Sequence, residues 1–249
     1  MMKIWLNLLT RKQLTGFTLT ELLIASVMAF FVVSAAGFAI LVMTRQNLVN
    51  HVSSDLTYNT HRASEFIASE IKRAKGIEIS KIETPPPILS DCPDFTAAED
   101  EFVMGLVVDT PEFSNATTST IIYYSKTPPD QDLWRGPSSI YRCGPSLESD
   151  GNFGSAGNEP SILVDSILAP LPSPNPSPCP SDTTTSSPTD PAAGFYICQD
   201  NNNPKLIEIH ITATSSDLED RGLTRSGDAA SSGTYKVVTK AFARATATP

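Results

Sequence analysis

The residues with the clearest chemical potential lie near the start of the chain, where residues 16–21 read Gly-Phe-Thr-Leu-Thr-Glu. Glu21 places a carboxylate at the edge of an uncharged, mostly apolar run, residues 22–43. A carboxylate in that position is costly unless it is neutralised or paired. If the chain were cut after Gly16, the new amine on Phe17 would lie about one helical turn from Glu21 and could pair with it, within one subunit or between neighbours. One interpretation is therefore a processing site followed by an ion pair.

Two simpler interpretations of this segment remain open. An uncleaved signal anchor would need only the hydrophobicity of residues 22–43 and the basic residues that precede them. An ordinary secretory signal peptide would be cut after a small-x-small site such as residues 34–36, which would make Gly37 the first mature residue. The apolar run continues through Gly37 to Met43, however, where a mature domain should become polar. The signal-peptide interpretation is therefore the weaker of the two.

No pattern typical of an enzyme active site occurs in the rest of the chain. The sequence has no H-E-x-x-H motif, and residues 153–157 carry Phe153 where the G-x-S-x-G nucleophile elbow needs glycine. The glycines at 151, 154 and 157 lack the G-x-G-x-x-G spacing of a dinucleotide turn. Residues 150–152 resemble a fragment of a calcium loop, but no spaced run of acidic residues follows. We therefore expect no enzymatic activity, no cofactor and no metal, and we keep a secreted hydrolase with an unfamiliar site as the enzyme alternative.

Charge is distributed unevenly along the chain of 249 residues. The whole sequence has 18 Lys+Arg against 27 Asp+Glu, a net charge of −9, which argues against a nucleic-acid ligand because phosphates need a basic surface. Residues 1–16 carry three basic residues and no acidic one. Residues 76–249 carry 10 basic and 23 acidic residues, a net charge of −13. The basic leader predicts an N-terminus that stays in the cytoplasm, with the bulk of the chain exported.

One long helix must position the N-terminal segment. Residues 22–43 would span about 33 Å as an α-helix, enough to cross the hydrocarbon core of a bilayer. Residues 45–75 contain no Pro or Gly, and their apolar residues recur at helical spacing. The predicted buried stripe comprises Leu48, Val52, Leu56, Ala63, Ile67 and Ile71, with Phe66 and Ala74 beside it, and the predicted solvent face carries Arg45, Asp55, Arg62, Glu65, Glu70 and Lys72. We therefore expect a helix from about residue 17 to residue 75 that stops at Gly76.

The rest of the chain reads as β-rich. Short apolar or aromatic runs predict strands at residues 102–108, 121–124, 140–143, 162–168, 195–198, 206–212 and 235–242. Alternation in residues 205–211 places three isoleucines on a buried face and His210 on the solvent side. The acidic residues 99–101 read as a solvated edge, and the Pro-, Ser- and Thr-rich residues 169–193 as an extended surface loop. A long N-terminal helix packed on an antiparallel sheet is an α+β arrangement.

Four cysteines occur in the part of the chain predicted to be exported, at positions 92, 143, 179 and 198. Export favours disulfides over free thiols, and the spacing lacks the close pairs of a zinc site. Four cysteines allow three connectivities. The sequential pairing, Cys92–Cys143 with Cys179–Cys198, is our hypothesis, and its second bridge would close a loop of about 20 residues.

Residues 16–23, Gly-Phe-Thr-Leu-Thr-Glu-Leu-Leu, resemble the processing and methylation motif of type IV prepilins and type II secretion pseudopilins. The resemblance combines a basic leader, the glycine, the phenylalanine, a glutamate at the fifth mature position and an apolar run. It implies that a membrane prepilin peptidase cuts after Gly16 and methylates the new N-terminus of Phe17, and that Glu21 guides assembly. The implied partners are the prepilin peptidase, other pilins or pseudopilins, the inner-membrane assembly machinery and membrane lipid, with no nucleic acid.

The resemblance also implies a pilin-like α+β fold with four parts. These are a leader peptide (1–16), a transmembrane and filament-core helix (17–44), its amphipathic continuation (45–76) and a β-rich exported head (77–249). Such a chain would first lie in the inner membrane as a single-pass protein with a cytoplasmic N-terminus. It would then join a pilus or pseudopilus in the periplasm or at the cell surface.

One departure from the family pattern narrows the expected role. Major pilins often carry a proline near the twenty-second mature residue, where this chain has Phe38. The lack of that proline favours a minor pilin or pseudopilin, and the order of the strands is similar to that of the PilW-like and J-type minor pseudopilins. That group implies priming or capping of a filament for motility, adhesion or secretion, including pilus-linked polysaccharide secretion. The alternative function is a membrane-anchored exported binding module that does not polymerise.

Overall fold

The computed structural model describes residues 16–79, 92, 95–96, 100–111, 116–128, 136–149, 151–154, 160–169, 179–180, 183–185, 194–215 and 234–244. The chain divides into two compact units, residues 1–48 and residues 49–249. One helix, α1 (Leu19–Ile71), begins in the first unit and ends in the second. Residues 1–15 of the predicted leader and most of the predicted loop 169–193 lie outside the described residues.

In the first unit, α1 is an apolar helix. Every described side chain from residue 16 to residue 47 is exposed. Two hydroxyls of this part of α1 bond to the helix backbone: Ser26 Oγ donates to the Leu23 carbonyl at 2.8 Å, and Thr44 Oγ1 donates to the Ile40 carbonyl at 3.0 Å. Hydroxyls bonded in this way are tolerated in lipid. By length and composition, α1 is the one helix among the described residues that could cross a membrane.

The described residues of the second unit comprise the C-terminal part of α1 and nine strands of one antiparallel sheet. The strands are β1 (Gly76–Glu78), β2 (Glu101–Pro111), β3 (Ala116–Lys126), β4 (Ser138–Cys143), β5 (Ser161–Ile167), β6 (Thr183–Thr185), β7 (Phe195–Asp200), β8 (Leu206–Thr214) and β9 (Thr234–Phe242). Their order is β1–β2–β3–β4–β5–β8–β7–β6, and β9 pairs with β8. β5 meets β8 through a single pair, Ile167 with Ala213. A long apolar helix followed by an antiparallel sheet is the α+β class that the sequence predicted.

The main hydrophobic core lies between α1 and one face of the sheet. Its helical residues include Leu56, Ala63, Ile67, Ala68 and Ile71. Its sheet residues alternate along the strands, as with the fully buried Ile207, Ile209 and Ile211 of β8. The helical period of 3.6 and the strand period of two therefore bring two apolar faces together. Burial of each large aliphatic side chain contributes about 1.5–3 kcal/mol.

Two smaller clusters cover the other face of the sheet, and each contains a disulfide. On β3, Ile121 and Tyr123 join the main core, whereas Ile122 and Tyr124 pack with the Cys92–Cys143 disulfide. The second cluster contains the Cys179–Cys198 disulfide and the ring of Tyr196. Both faces of the sheet are therefore partly covered.

Two differences from the predicted elements are explained by strand pairing. α1 ends at Ile71 instead of residue 75, and Gly76 opens β1 opposite Val107 instead of stopping the helix. The Lys75 amide donates to the Val107 carbonyl at 2.8 Å, so pairing with β2 ends the helix before the glycine is reached. The second difference is β6, which the sequence assigned to a loop. It pairs with β7 through residues 183–185.

Three polar residues that the sequence placed on solvent-facing surfaces are buried instead. Glu70 is fully buried beneath the sheet. His210 is buried with its ring stacked on Tyr196, the ring centroids being 4.5 Å apart. Asp100 accepts the Thr96 N–H at 2.6 Å and lies 3.5 Å from the Lys126 ammonium. In each case a partner comes from another segment of the chain, which local periodicity does not reveal.

Candidate functional site

Gly16 and Phe17 lie before the helix and are exposed, with Phe17 84% accessible. The first helical hydrogen bond runs from the Leu22 N–H to the Thr18 carbonyl at 3.2 Å. A Cβ added at Gly16 would meet nothing within 4 Å. The Gly16–Phe17 peptide bond is therefore accessible and lies outside the helical hydrogen bonding, as a bond that a protease cuts must be.

Thr18 and Glu21 form a reciprocal cap at the start of α1. The Glu21 N–H donates to Thr18 Oγ1 at 3.3 Å, and the Thr18 N–H donates to Glu21 Oε2 at 3.0 Å. The Thr18 hydroxyl also donates to Glu21 Oε2 at 3.0 Å. This is capping-box geometry, in which a threonine and a glutamate three residues later satisfy each other's free amides. The carboxylate also lies at the positive end of the helix dipole.

Glu21 therefore has a local role in addition to the predicted pairing with an amine. A Thr-x-x-Glu spacing before an apolar run is the sequence signature of this cap, so the signal was available in residues 18–21 and was missed. The groups of Thr18 that bind Glu21 would remain after a cut following Gly16. Two of the three hydrogen bonds end on Oε2, and Oε1 has no partner among the described residues. Oε1 can accept a hydrogen bond from a further donor, such as an amine.

A second carboxylate of α1, Glu70, is bound from two strands of the sheet. Arg142 of β4 donates from Nη2 to Glu70 Oε1 at 2.8 Å, and its Nε lies 3.1 Å from both carboxylate oxygens. The Tyr123 hydroxyl of β3 donates to Glu70 Oε2. We call Glu70, Arg142 and Tyr123 the helix clamp, because they join the end of α1 to the sheet.

The backbone that follows β4 completes the helix clamp. Arg142 Nη1 donates to the Gly144 carbonyl at 3.2 Å, and Nη2 donates to the Pro145 carbonyl at 2.6 Å. Gly144 has a φ of 150°, and a Cβ there would lie 2.8 Å from the Cα of Ile121. Glycine is therefore needed where the chain turns to meet the guanidinium. With its groups bound inside the chain, the clamp is a structural site.

Electrostatics keep two residues of the helix clamp, Tyr123 and Arg142, protonated. Burial and the negative charge of Glu70 raise the pKa of Tyr123 well above its usual value, so the phenol stays a hydrogen-bond donor. Burial opposes the charge of Arg142, but hydrogen bonds and attraction to Glu70 outweigh it and raise the pKa of the guanidinium. Removal of one partner from such a buried pair costs about 3–5 kcal/mol, because the other charge is left uncompensated.

The two disulfides are Cys92–Cys143 and Cys179–Cys198, which is the sequential connectivity that we hypothesised from the sequence. Their Cα–Cα distances are 6.1 Å for Cys92–Cys143 and 5.6 Å for Cys179–Cys198. The chain-entropy model assigns about 4 kcal/mol to the longer loop and about 3 kcal/mol to the shorter one. Across the described residues there is no group of three or more His, Cys, Asp or Glu that could hold a metal ion. Asp150 of the calcium-loop fragment lies outside them.

Comparison with known proteins gives no family assignment. No family model, no curated protein and no solved structure matches the chain. The resemblance to prepilins therefore depends on residues 16–23 and on the way the start of α1 presents them.

Proposed function

We propose that the chain is a minor type IV pilin or pseudopilin that is inserted in the inner membrane with its N-terminus in the cytoplasm. Prepilin peptidase would remove residues 1–16 and methylate the new N-terminus of Phe17. The processed helix would then leave the lipid and pack among the helices of other pilins. The filament so primed or capped would serve motility, adhesion or secretion, including pilus-linked polysaccharide secretion.

The observation that carries this proposal is the position of the Gly16–Phe17 bond. It lies in exposed chain just before the cap of α1, where a membrane protease could bind an extended backbone. A plain signal anchor needs neither a glycine at that position nor a carboxylate in the first turn of the helix. The motif and its presentation together therefore favour processing over simple anchoring.

The exposed apolar part of α1 supports the assembly step. Side chains from residue 16 to residue 47 need lipid or other helices to remove them from water. Exchange of lipid for helix contacts gives a modest net gain, so polar groups must supply the register. Glu21 can do so, because Thr18 engages one carboxylate oxygen, whereas the other has no partner in the described part of the chain and can bind the amine of a neighbouring subunit.

The composition of the head supports an exported location. Its two disulfides suit an oxidising compartment. Its net charge of −13, in residues 76–249, is separated from the basic residues 1–16 by the apolar run 22–43. The helix clamp would hold this head on the same helix that anchors the subunit.

Alanine replacement at two glycines tests the proposed cleavage. An added Cβ meets nothing within 4 Å at either Gly16 or Gly37, so alanine fits at both positions. We expect Gly16→Ala to block most of the removal of residues 1–16, because the peptidase would select glycine before the cut bond. The control, Gly37→Ala, should be cut normally and should strengthen the helix by about 1 kcal/mol. Pulse labelling and intact mass in cells that contain the peptidase give the cut fraction.

Equal cleavage of the parent chain and both variants would contradict the proposed site. Retention of residues 1–16 in the parent chain would favour the alternative, a membrane-anchored exported binding module that does not polymerise.

A further inference from the structure

One cavity of the head brings together positively charged side chains from separate segments. It has a volume of about 490 Å³ and is lined by Ser69, Lys72, Arg73, Gly151 and Arg244. Lys72 and Arg73 follow the last turn of α1, whereas Arg244 follows β9. The three cationic side chains are exposed. We call this site the cationic cavity.

The cations of this cavity differ from other cations of the head in their partners. Four of those others pair with carboxylates: Lys75 with Asp109, Lys126 with Asp100, Arg142 with Glu70 and Lys240 with Glu208. In the described parts of the chain, no carboxylate pairs with Lys72, Arg73 or Arg244, and none lines the cavity. The cationic cavity is therefore a local excess of positive charge in a head whose net charge is −13.

The negative end of the helix dipole offsets only part of the positive charge of the cavity. The C-terminal end of a helix carries roughly half a negative charge, which favours lysine and arginine in the last turn. Three side-chain charges exceed that value by roughly two and a half, and the effect of the dipole fades within one turn. Arg244 also comes from a different segment, so the end of α1 does not explain its position. The remaining field attracts anions.

Arg73 is held in place by a tight turn of the neighbouring chain. Its Nη1 donates to the Gly151 carbonyl. That turn is fixed by a hydrogen bond from the Glu148 N–H to the Asn152 carbonyl at 2.8 Å and by the buried ring of Phe153. Gly151 has a φ of 85°, and a Cβ there would lie 3.3 Å from Arg73 Nη1. A guanidinium has five N–H donors, and within the described ranges the other donors of Arg73 have no partner and can bind a ligand.

The backbone before Arg244 is also fixed. Ala243 is buried, and its N–H donates to the Lys205 carbonyl at 3.0 Å. Two arginines therefore reach the cavity from anchored segments, so part of the entropy cost of ordering them is already met in the fold.

We propose that the cationic cavity binds an oxyanion group, a carboxylate or a phosphate, carried by a small soluble ligand. The fork of an arginine matches both groups with two hydrogen bonds. The volume is in the range of small-molecule sites. At physiological ionic strength charges are screened beyond about 8 Å, so an anion in the cavity interacts mainly with the residues that line it, and no acidic residue is among the lining residues that the structure describes. The site is separate from residues 16–21 and requires neither cleavage nor assembly.

Three ligands that share one ring test the proposal: glucose, glucuronate and glucose 6-phosphate. Calorimetric titration of the full chain in a non-ionic detergent should detect both anions and not glucose. Arg73→Gln and Arg244→Gln should each weaken binding of the anions about tenfold, since each removes a charged hydrogen-bond donor. Arg62→Gln, which removes an exposed arginine of α1 outside the cavity, should leave binding unchanged. A rise from about 50 mM to about 500 mM salt should weaken the binding of both anions.

Binding of glucose as tight as that of the anions would overturn the proposal, and so would the absence of detectable binding of either anion. Loss of binding in Arg62→Gln equal to that in Arg73→Gln would also overturn it. Lys72→Gln provides a third variant of the cavity should one arginine variant unfold. Circular dichroism and the unfolding midpoint of each variant show that the head remains folded. Neither a positive nor a negative result depends on removal of residues 1–16, so this test is distinct from that of the proposed function.

Discussion

Two glutamates of the same helix, Glu21 and Glu70, have opposite surroundings. Glu21 is exposed at the start of α1, and among the described residues its carboxylate is bound by Thr18 through one oxygen. Glu70 is fully buried near the end of the helix, where Arg142 and Tyr123 bind both of its oxygens. The carboxylate of Glu70 is therefore satisfied inside the chain, whereas that of Glu21 retains capacity for a partner from outside.

The same contrast holds for the apolar side chains of α1. From residue 16 to residue 47 they are exposed, whereas Leu56, Ile67 and Ile71 lie in the core of the head. One helix therefore has two environments. Its C-terminal part packs against the sheet, whereas its N-terminal part depends on lipid or other chains. The contrast separates residues that stabilise the fold from residues that remain for function.

The largest expected effect follows from breaking the helix clamp. Arg142→Ala would leave the Glu70 carboxylate buried without its charged partner, so the head should lose about 3–5 kcal/mol of unfolding free energy. Denaturant unfolding of the full chain in detergent, followed by circular dichroism, measures the loss. Cleavage after Gly16 should be unchanged, because the clamp and the processing site lie in different units.

The matched control for the clamp is Glu65→Ala, which removes an exposed glutamate of the same helix. Its effect should stay within about 0.5 kcal/mol. A double variant, Glu70→Leu with Arg142→Leu, should regain part of the stability because it leaves no charge buried alone. If Arg142→Ala cost no more than Glu65→Ala, the contrast between the two glutamates would not hold.

The next effect concerns assembly and distinguishes the two roles of Glu21. Glutamine can replace glutamate in a capping box but carries no charge. Alanine can neither form the cap nor carry the charge. If the carboxylate pairs with an amine, Glu21→Gln and Glu21→Ala should both be cleaved and both reach filaments about tenfold less than the parent chain. The ratio of subunit in sheared filaments to subunit in membranes measures this loss.

Thr18→Ala provides the complementary variant, since it removes the cap and keeps the charge. Normal incorporation of Glu21→Gln together with poor incorporation of Thr18→Ala would assign the role of Glu21 to the cap alone. That result would contradict the pairing of Glu21 with an amine, and it would not bear on the proposed cleavage after Gly16.

A smaller effect is expected from pH in the head. Burial, and then the charge of Lys236, lower the pKa of His210, although Glu208 opposes them. The unfolded chain therefore binds the proton more readily than the folded head, so this stabilisation is full above about pH 6.5 and is lost as the pH falls through the lower folded pKa. Unfolding free energy between pH 7 and pH 5 should fall less in His210→Phe than in the parent chain. An equal fall in His210→Phe and in the parent chain would contradict burial of His210 as the cause of the pH dependence.

Much of the fold was predictable from the sequence because periodicity marks elements with one buried face. Alternation located β8 with its isoleucines inward, and helical spacing located Leu56, Ala63 and Ile67. The early end of α1 and the short strand β6 could not be read this way, because they depend on pairing of the following segment with β2 and on pairing with β7. The burial of Glu70 was missed for the same reason, since Arg142 lies 72 residues away.

The sequence predicted which residues form the candidate site, but it predicted only some of their interactions. Gly16, Phe17 and Glu21 stand out by type and spacing alone, and the structure adds the accessibility of the bond and the bonds from Thr18. The cationic cavity could not be predicted, because Arg73 and Arg244 are far apart in the sequence and meet only in the fold.

The mass of the N-terminal peptide of the mature protein tests the central claim most directly. Tandem mass spectrometry of the protein from its native membrane should find a peptide that begins at Phe17 and carries one methyl group on its amine. A peptide that begins at Met1 would contradict processing and indicate a plain anchor. A peptide that begins at Gly37 would contradict it as well and indicate an ordinary signal peptide.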